Sequence, residues 1–236
     1  MKTDEMLVSP LSSLNRRNAE KTLIAYVSLG NPTALKDHMD NNISKTKGHI
    51  IQLLAGLSLT QAKYEGCALT ARACRAAAAA GVSPEIIHSL NDTCLQDYDA
   101  MTEPAMLWEL AQKTLLLFCE AVKEVILSPF TGAVRQCCEY IHANLNSSIS
   151  LDELGQICHL SPHYVSDIFR KELGIGALQY AHQVKMQYAK FLIEYTNTGI
   201  AEISAALSYP SHSNFSQRFK KIYGLTPHEF RTTCGR

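Results

Sequence analysis

Apolar residues recur along this chain at three- and four-residue intervals almost from end to end. That is the period of an amphipathic helix, whose apolar stripe returns every 3.6 residues. Sustained period-two alternation is absent, and no Asn-Gly or Asp-Gly pair sits between β-branched runs, so no hairpin is predicted. The spacing predicts helices over 14–29, 33–40, 46–80, 84–99 and 104–127 in the first part of the chain. Gly30, Gly48 and Gly81 fall at or near their boundaries. Pro32, Pro84 and Pro104 take first-turn positions, where the missing N–H is one that a helix leaves unpaired anyway. The run "ACRAAAAAGV" is a strong helix former that stops at glycine. Gly56 and Gly66 leave the continuity of the segment 46–80 open.

"SPFTG" at 128–132 is the clear break near mid-chain, and a domain boundary is placed there, giving 1–130 and 131–236. Beyond it the pattern predicts helices over 133–144, 150–157, 161–173, 176–195, 200–207, 211–222 and 226–232. The expected fold class is all-α, with a seven-helix C-terminal domain joined to a separate helical N-terminal domain.

Two stretches of the C-terminal part look alike. "SLDELGQICHLSPHYVSDIFRKELG" begins at Ser150 and "GIAEISAALSYPSHSNFSQRFKKIYG" at Gly199. Each reads as a short helix, a tight turn and a second helix started by serine. Each second helix closes with Phe, a basic pair and then Gly. Two helices crossing steeply over a short turn form a helix-turn-helix. The crossing needs a small residue, supplied by Gly155 and Ser204, with Leu154 and Ile203 as core anchors beside them. Val165, Ile168 and Phe169 in one unit, and Phe215 and Phe219 in the other, belong to the inner face. That leaves His163, Tyr164, Ser166, Asp167 and Arg170 outside in the first, and His212, Ser213, Asn214, Ser216, Gln217 and Arg218 in the second. Short hydrogen-bonding side chains at a helix start suit base edges in a major groove, and the helix start itself suits a phosphate. Lys171, Lys220 and Lys221 follow a turn later, where backbone contacts are expected.

Composition sharpens this picture in three places. A hydrophobic fraction of 46% with 19% charged residues describes a globular protein. The net charge of zero hides an asymmetry: residues 131–236 carry 10 Lys+Arg against 8 Asp+Glu, and residues 1–130 carry 12 against 14. From Ser208 onward Arg218, Lys220, Lys221, Arg231 and Arg236 face Glu229 alone, which favours a polyanionic partner. The eight cysteines form no CxxC pair and no zinc spacing with histidines, so they read as reduced core thiols, with no metal and no cofactor expected. No phosphate-cradling glycine loop, Gly-x-Ser-x-Gly elbow or His-Glu-x-x-His is present, so no enzyme is expected. The absence of a long apolar run and of a signal-peptide start points to a cytoplasmic protein with no membrane partner.

Residues 134–231 resemble the DNA-binding domain of AraC/XylS-type transcription regulators. The most specific part is "IAEISAALSYPSHSNFSQRFKKIYGLTPHEFR", and "LQYAHQVKMQYAKFLI" at 178–193 is similar to the helix that joins the two units in that family. The resemblance implies a transcription regulator, more often an activator, that binds double-stranded DNA and works with RNA polymerase. It implies two recognition helices entering successive major-groove segments about 34 Å apart. His163, Ser166, Asp167, His212, Ser213, Asn214, Ser216 and Gln217 would then meet bases, while Arg170, Lys171, Arg218, Lys220 and Lys221 hold phosphates. The chain departs from the family pattern at several places. Gly155 and Ser204 replace the usual alanine, Lys185 stands where arginine is common, and Asp167 occupies an often basic position. Ser208-Tyr209 replaces the usual Gly-Phe turn, so Ser208 is expected to carry left-handed strain, with Pro210 reshaping the turn. Thr226 is expected to cap the last helix, Pro227 to open it, and Arg231 either to cap it or to join the interface.

"EKTLIAYVSLGNP" and "LTARACRAAAAAGVSPEIIHSLNDTCLQDY" are similar to the N-terminal region of a helical subclass of these regulators. That resemblance implies a domain that senses a signal or mediates dimerisation, with a small-molecule effector or a second copy of the chain as partner. His49, Tyr64, Arg72, Arg75, His88, Tyr98 and Trp108 are candidates to surround a small acid or polar ligand, or else amphipathic packing and surface. "LWELAQKTLLLFCEAVKEVIL" at 107–127 carries a wide apolar stripe that serves as core, as a dimer seam or as a rod carrying motion. The rival to the regulator is a helical protein-interaction adaptor without sequence-specific DNA binding, and salt dependence separates the two.

Overall fold

The computed structural model describes residues 10–40 and 56–234. The first part holds α1 (Pro10–Leu29), α2 (32–40), α3 (Leu59–Ala79), α4 (Pro84–Asp99), a 3-10 turn (Pro104–Met106) and α5 (Leu107–Leu127). The second holds α6 (Gly132–Ala143), α7 (Leu151–Cys158), α8 (Pro162–Leu173), α9 (Ala177–Tyr195), α10 (Ile200–Ala206), α11 (His212–Tyr223) and α12 (Pro227–Thr233). Among the described residues there is no strand. The architecture is all-α. The chain divides into two compact units, Met1–Lys123 and Glu124–Arg236, so the last residues of α5 belong with the second.

The expected helix over 46–80 needs correcting. Residues 46–55 lie outside the described ones, and α3 starts only at Leu59. Ser58 accepts from Gln61 N while Gln61 Oε1 accepts from Ser58 N, a reciprocal box that fixes the helix start. Gly66 does not interrupt α3 but lies buried within it. A Cβ there would sit 2.4 Å from the Tyr98 ring, so the glycine gives α4 room to approach α3 closely. Lost helix propensity is exchanged for close packing.

In the first unit Tyr26, Leu35, Ala73, Ala77, Cys94, Tyr98, Leu115, Phe118 and Val122 are buried. The buried hydroxyl of Tyr98 meets Thr114 Oγ1 at 3.0 Å, and Asn31 Oδ1 accepts from Ala34 N at the start of α2. Arg72 pairs with Glu20, tying α3 to α1, and Lys113 reaches Asp97 at 2.7 Å. The stripe on α5 is core, since Leu115, Phe118, Cys119 and Val122 are all buried.

The second unit folds around one cluster. Leu154, Val165 and Phe169 come from α7 and α8, Ile203, Phe215 and Phe219 from α10 and α11, and Ala181, Met186, Ala189 and Ile193 from α9. Each fully buried Phe contributes on the order of 1.5–3 kcal/mol of hydrophobic stabilisation. The residues of α9 between the two helix pairs make them parts of a single hydrophobic body.

Candidate nucleic-acid interface

The duplicated sequence folds into duplicated geometry. In the first unit of the repeat α7 opens on a capping box between Ser150 and Glu153 and ends at His159, whose φ of 55° is left-handed. Leu160 N then donates back to Gly155 O at 2.9 Å. In the second unit Ser208 follows α10 with a φ of 56°, and Tyr209 N donates back to Ser204 O at 3.1 Å. Both turns are the same six-to-one closure of a helix C-terminus. Neither uses the glycine that such a position favours. Ser161 and Ser211 then start α8 and α11 alike, accepting from Tyr164 N at 3.2 Å and from Asn214 N at 3.1 Å. Gly174 and Gly224, both left-handed, end the two helices by donating to Arg170 O and Lys220 O.

Gly155 shows why the crossing must be small: a Cβ there would stand 2.6 Å from Leu160 O. Ser204 holds the same place under α11 and is buried. Leu154 and Ile203 are fully buried beside them.

These caps leave two polar faces outward. His163, Asp167, Arg170 and Lys171 are exposed on α8, with Ser166 half-buried. His212, Ser213, Gln217, Arg218, Lys220 and Lys221 are exposed on α11, with Asn214 and Ser216 half-buried. The faces are internally organised. His163 Nδ1 lies 3.4 Å and Arg170 Nη1 3.9 Å from the Asp167 carboxylate, so its charge is shared along the helix. Arg218 Nε donates to Asn214 Oδ1 at 3.1 Å, and Gln217 Nε2 to Ser213 Oγ at 3.5 Å. Every base- and phosphate-facing candidate therefore lies on one of two helices that share one core, with polar groups open to a ligand.

Arg231 does not belong to this face. Its Nη2 donates to Thr198 O at 2.6 Å and so ties α12 to the approach of α10. Thr226 caps α12 through a box with Glu229, and Pro227 occupies its first turn.

The family model described as a helix-turn-helix domain matches residues 154–233. The arabinose operon regulatory protein of Escherichia coli (strain K12) is 33% identical over 126 residues, covering 53% of this chain and 43% of that protein. The C-terminal unit contains an AraC-type helix-turn-helix domain. The bifunctional transcriptional activator/DNA repair enzyme AdaA of Bacillus subtilis (strain 168) is 36% identical over 93 residues, 39% of this chain and 44% of that protein. The solved C-terminal domain of AraT, a response regulator from Geobacillus stearothermophilus, is 29% identical with a TM-score of 0.42, covering 44% of this chain and 86% of that one. The matched stretch is less than half the length of each of these two curated relatives.

Ser208, where the resemblance leads one to expect glycine, takes the left-handed conformation that the sequence predicts. Its hydroxyl donates to Asn146 O at 2.7 Å, a contact that the sequence alone did not disclose. Forcing a non-glycine residue into this region costs about 1–2 kcal/mol, and one hydrogen bond offsets roughly 1 kcal/mol of it.

The candidates of the N-terminal unit are not assembled in the same way. His49 lies outside the described residues. Tyr98 is fully buried between Gly66 and Thr114, its hydroxyl pushed up to about 12 by burial, so it is core rather than pocket wall. Tyr64 and Arg75 are exposed, Arg72 is engaged by Glu20, and Trp108 is half-buried. His88 is exposed beside Asp92 and borders a cleft of about 530 Å³ lined by Cys74, Ala78, Val82, Pro84, Ile87 and Asn91.

Among the described residues no group of His, Cys, Asp or Glu is arranged to hold a metal, and no helix is long and apolar enough to cross a membrane. Cys137 and Cys158 are free thiols with their Sγ atoms 3.1 Å apart, and burial, then the Cys158 contact, pushes the Cys137 thiol up.

Proposed function

We propose that this protein is a sequence-specific, double-stranded-DNA-binding transcription regulator. It acts in the cytoplasm, as an activator in contact with RNA polymerase, and its N-terminal unit senses a small-molecule effector or pairs two copies of the chain. One observation carries the reading. Two helix starts, each capped by a serine side chain at Ser161 and Ser211, present short polar side chains from a single hydrophobic body, each followed by a basic pair. Polar residues at a helix start read base edges, and the following Arg and Lys hold phosphates. Ser166, Asn214 and Gln217 are the main base readers, while Lys171, Lys220 and Lys221 are the main grips. Asp167 is drawn towards His163 and Arg170, which weakens its claim on a cytosine amino group.

The test is selection of bound sites from random duplex DNA with the purified full chain, followed by a salt titration on the selected site. The expected result is a two-part motif. With four or five phosphate contacts, the log–log salt slope is expected at about −4, at roughly 0.9 per contact. No enriched sequence together with a slope near zero would sink this reading and leave the protein-interaction adaptor. Effector sensing is tested by thermal shift of the full chain against small polar and acidic molecules. A ligand at a hundred times its Kd adds about 2.7 kcal/mol.

A further inference from the structure

Three hydrogen bonds meet where the two helix-turn-helix units touch α9. Asn146 and Ser147 lie in the connection that leads into α7, and Leu207 and Ser208 form the turn that leads towards α11. Ser208 Oγ donates to Asn146 O at 2.7 Å. Lys185, from the middle of α9, donates to Ser147 O at 2.6 Å and to Leu207 O at 2.9 Å. Two successive residues of one unit are thus locked to two successive residues of the other, with a single ammonium group between them. Lys185 is 5% exposed, and its cation is held by these carbonyls. One turn earlier on α9, His182 Nδ1 lies 3.5 Å from the Tyr209 hydroxyl. The Tyr209 ring packs edge-on against Phe215 of α11, with centroids 5.4 Å apart. The joint therefore continues into the second recognition helix itself.

The choice of residue is informative. Glycine would adopt the left-handed turn without strain but would offer no hydroxyl to Asn146. His159, in the corresponding turn of the first unit, is left-handed too, so the chain twice accepts a side chain where glycine is easiest. At Ser208 that side chain reaches the other unit.

We infer that Ser208 and Lys185 are positioning residues that fix the separation and phase of the two recognition helices, and so determine which spacing between two half-motifs the protein accepts. This rests on the DNA-binding reading above. One added base pair moves a half-motif by about 3.4 Å and turns it by about a tenth of a helical turn, which a locked pair of helices does not follow. A pair free to swivel follows it at less cost.

The experiment uses the full chain and its selected duplex. Binding is measured on the selected site and on versions with one base pair inserted or removed between the half-motifs. For the wild type each change is expected to weaken binding about tenfold, the range of a single misplaced contact. For Ser208→Gly that penalty is expected to fall about fivefold, the equivalent of one hydrogen bond, with each half-motif preference unchanged and the thermal midpoint equal to or above wild type. A merely structural role moves the midpoint and leaves the spacing profile alone. Lys185→Arg keeps two donors and is expected to hold the wild-type profile, while Lys185→Met loses it. A Ser208→Gly protein with the wild-type spacing penalty overturns the joint and leaves the DNA reading standing. A wild type that selects no motif overturns the DNA reading, and the joint's role with it.

Discussion

Asn214 is already oriented in the protein alone, because Arg218 Nε holds its Oδ1. Replacing Asn214 by Ala is expected to cost about 1–3 kcal/mol on the selected site, relax one base position and loosen Arg218 as well. Lys220→Ala is expected to weaken binding to all duplexes alike and to lower the salt slope by about one. Competition binding across single-base variants of the site separates the two patterns, and uniform loss in both variants defeats the division into reading and gripping residues. His182 makes a second prediction at this scale. Burial, then the charges of Arg218 and Lys185, holds its pKa below the ordinary 6.5. As pH falls through about 6.5 the unfolded chain takes up this proton before the folded one does, so folding stability drops on the acid side. His38 in the N-terminal unit, lowered by burial, acts in the same direction. Urea unfolding followed from pH 7 down to about 5 is expected to show this decline, and His182→Gln to flatten it. An unchanged slope in that variant assigns the proton elsewhere.

The turn between α7 and α8 tolerates little change. Gly155→Ala puts a methyl against the Leu160 carbonyl, which is backbone and gives way only by moving the turn. About 1–3 kcal/mol of destabilisation is expected by urea unfolding, the usual cost of overpacking a tight contact. Ser204→Ala, at the corresponding place in α10, removes atoms instead of adding them and is expected to cost less. Buried thiols test the helices from inside. Burial pushes Cys119 and Cys138 up to about 12, which keeps both protonated and slow to react. Alkylation of the native protein at about pH 8, near the ordinary thiol range, is expected to spare both, and denaturant is expected to expose them. Rapid labelling without denaturant would show that α5 and α6 open more readily than their packing implies.

For the whole molecule, the helices of the C-terminal unit are legible in the sequence to within about a residue, because serine caps, glycine stops and apolar spacing agree with one another. Gly66 looks like a break because glycine lowers helix propensity, and what it contributes is room for a tyrosine 32 positions further on. No local pattern reports such a contact. The outward faces of α8 and α11 are legible for the same reason as the helices. The joint is not, since Lys185 and Ser208 bond to backbone carbonyls, which carry no sequence identity. The pocket candidates of the N-terminal unit rest on residue type alone, and Tyr98 goes to the core. Because the C-terminal unit has its own hydrophobic cluster from Leu127 to Phe219, a fragment of residues 124–236 is expected to unfold in one cooperative transition and to select the same motif as the full chain. Circular dichroism and site selection check both parts, and a fragment that melts without a transition refutes its independence.

The bond between Ser208 and Asn146 spans 62 residues, while the caps and turns of each helix pair close within about six. Local contacts form first, and closing a long loop waits for the chain between its ends. During synthesis at about 5–20 residues per second, Asn146 leaves the ribosome roughly 3–12 s before Ser208 follows it. The first helix pair is complete only once Leu173 has followed, roughly 1–5 s after Asn146, and from then until Ser208 emerges nothing sets its distance from a second.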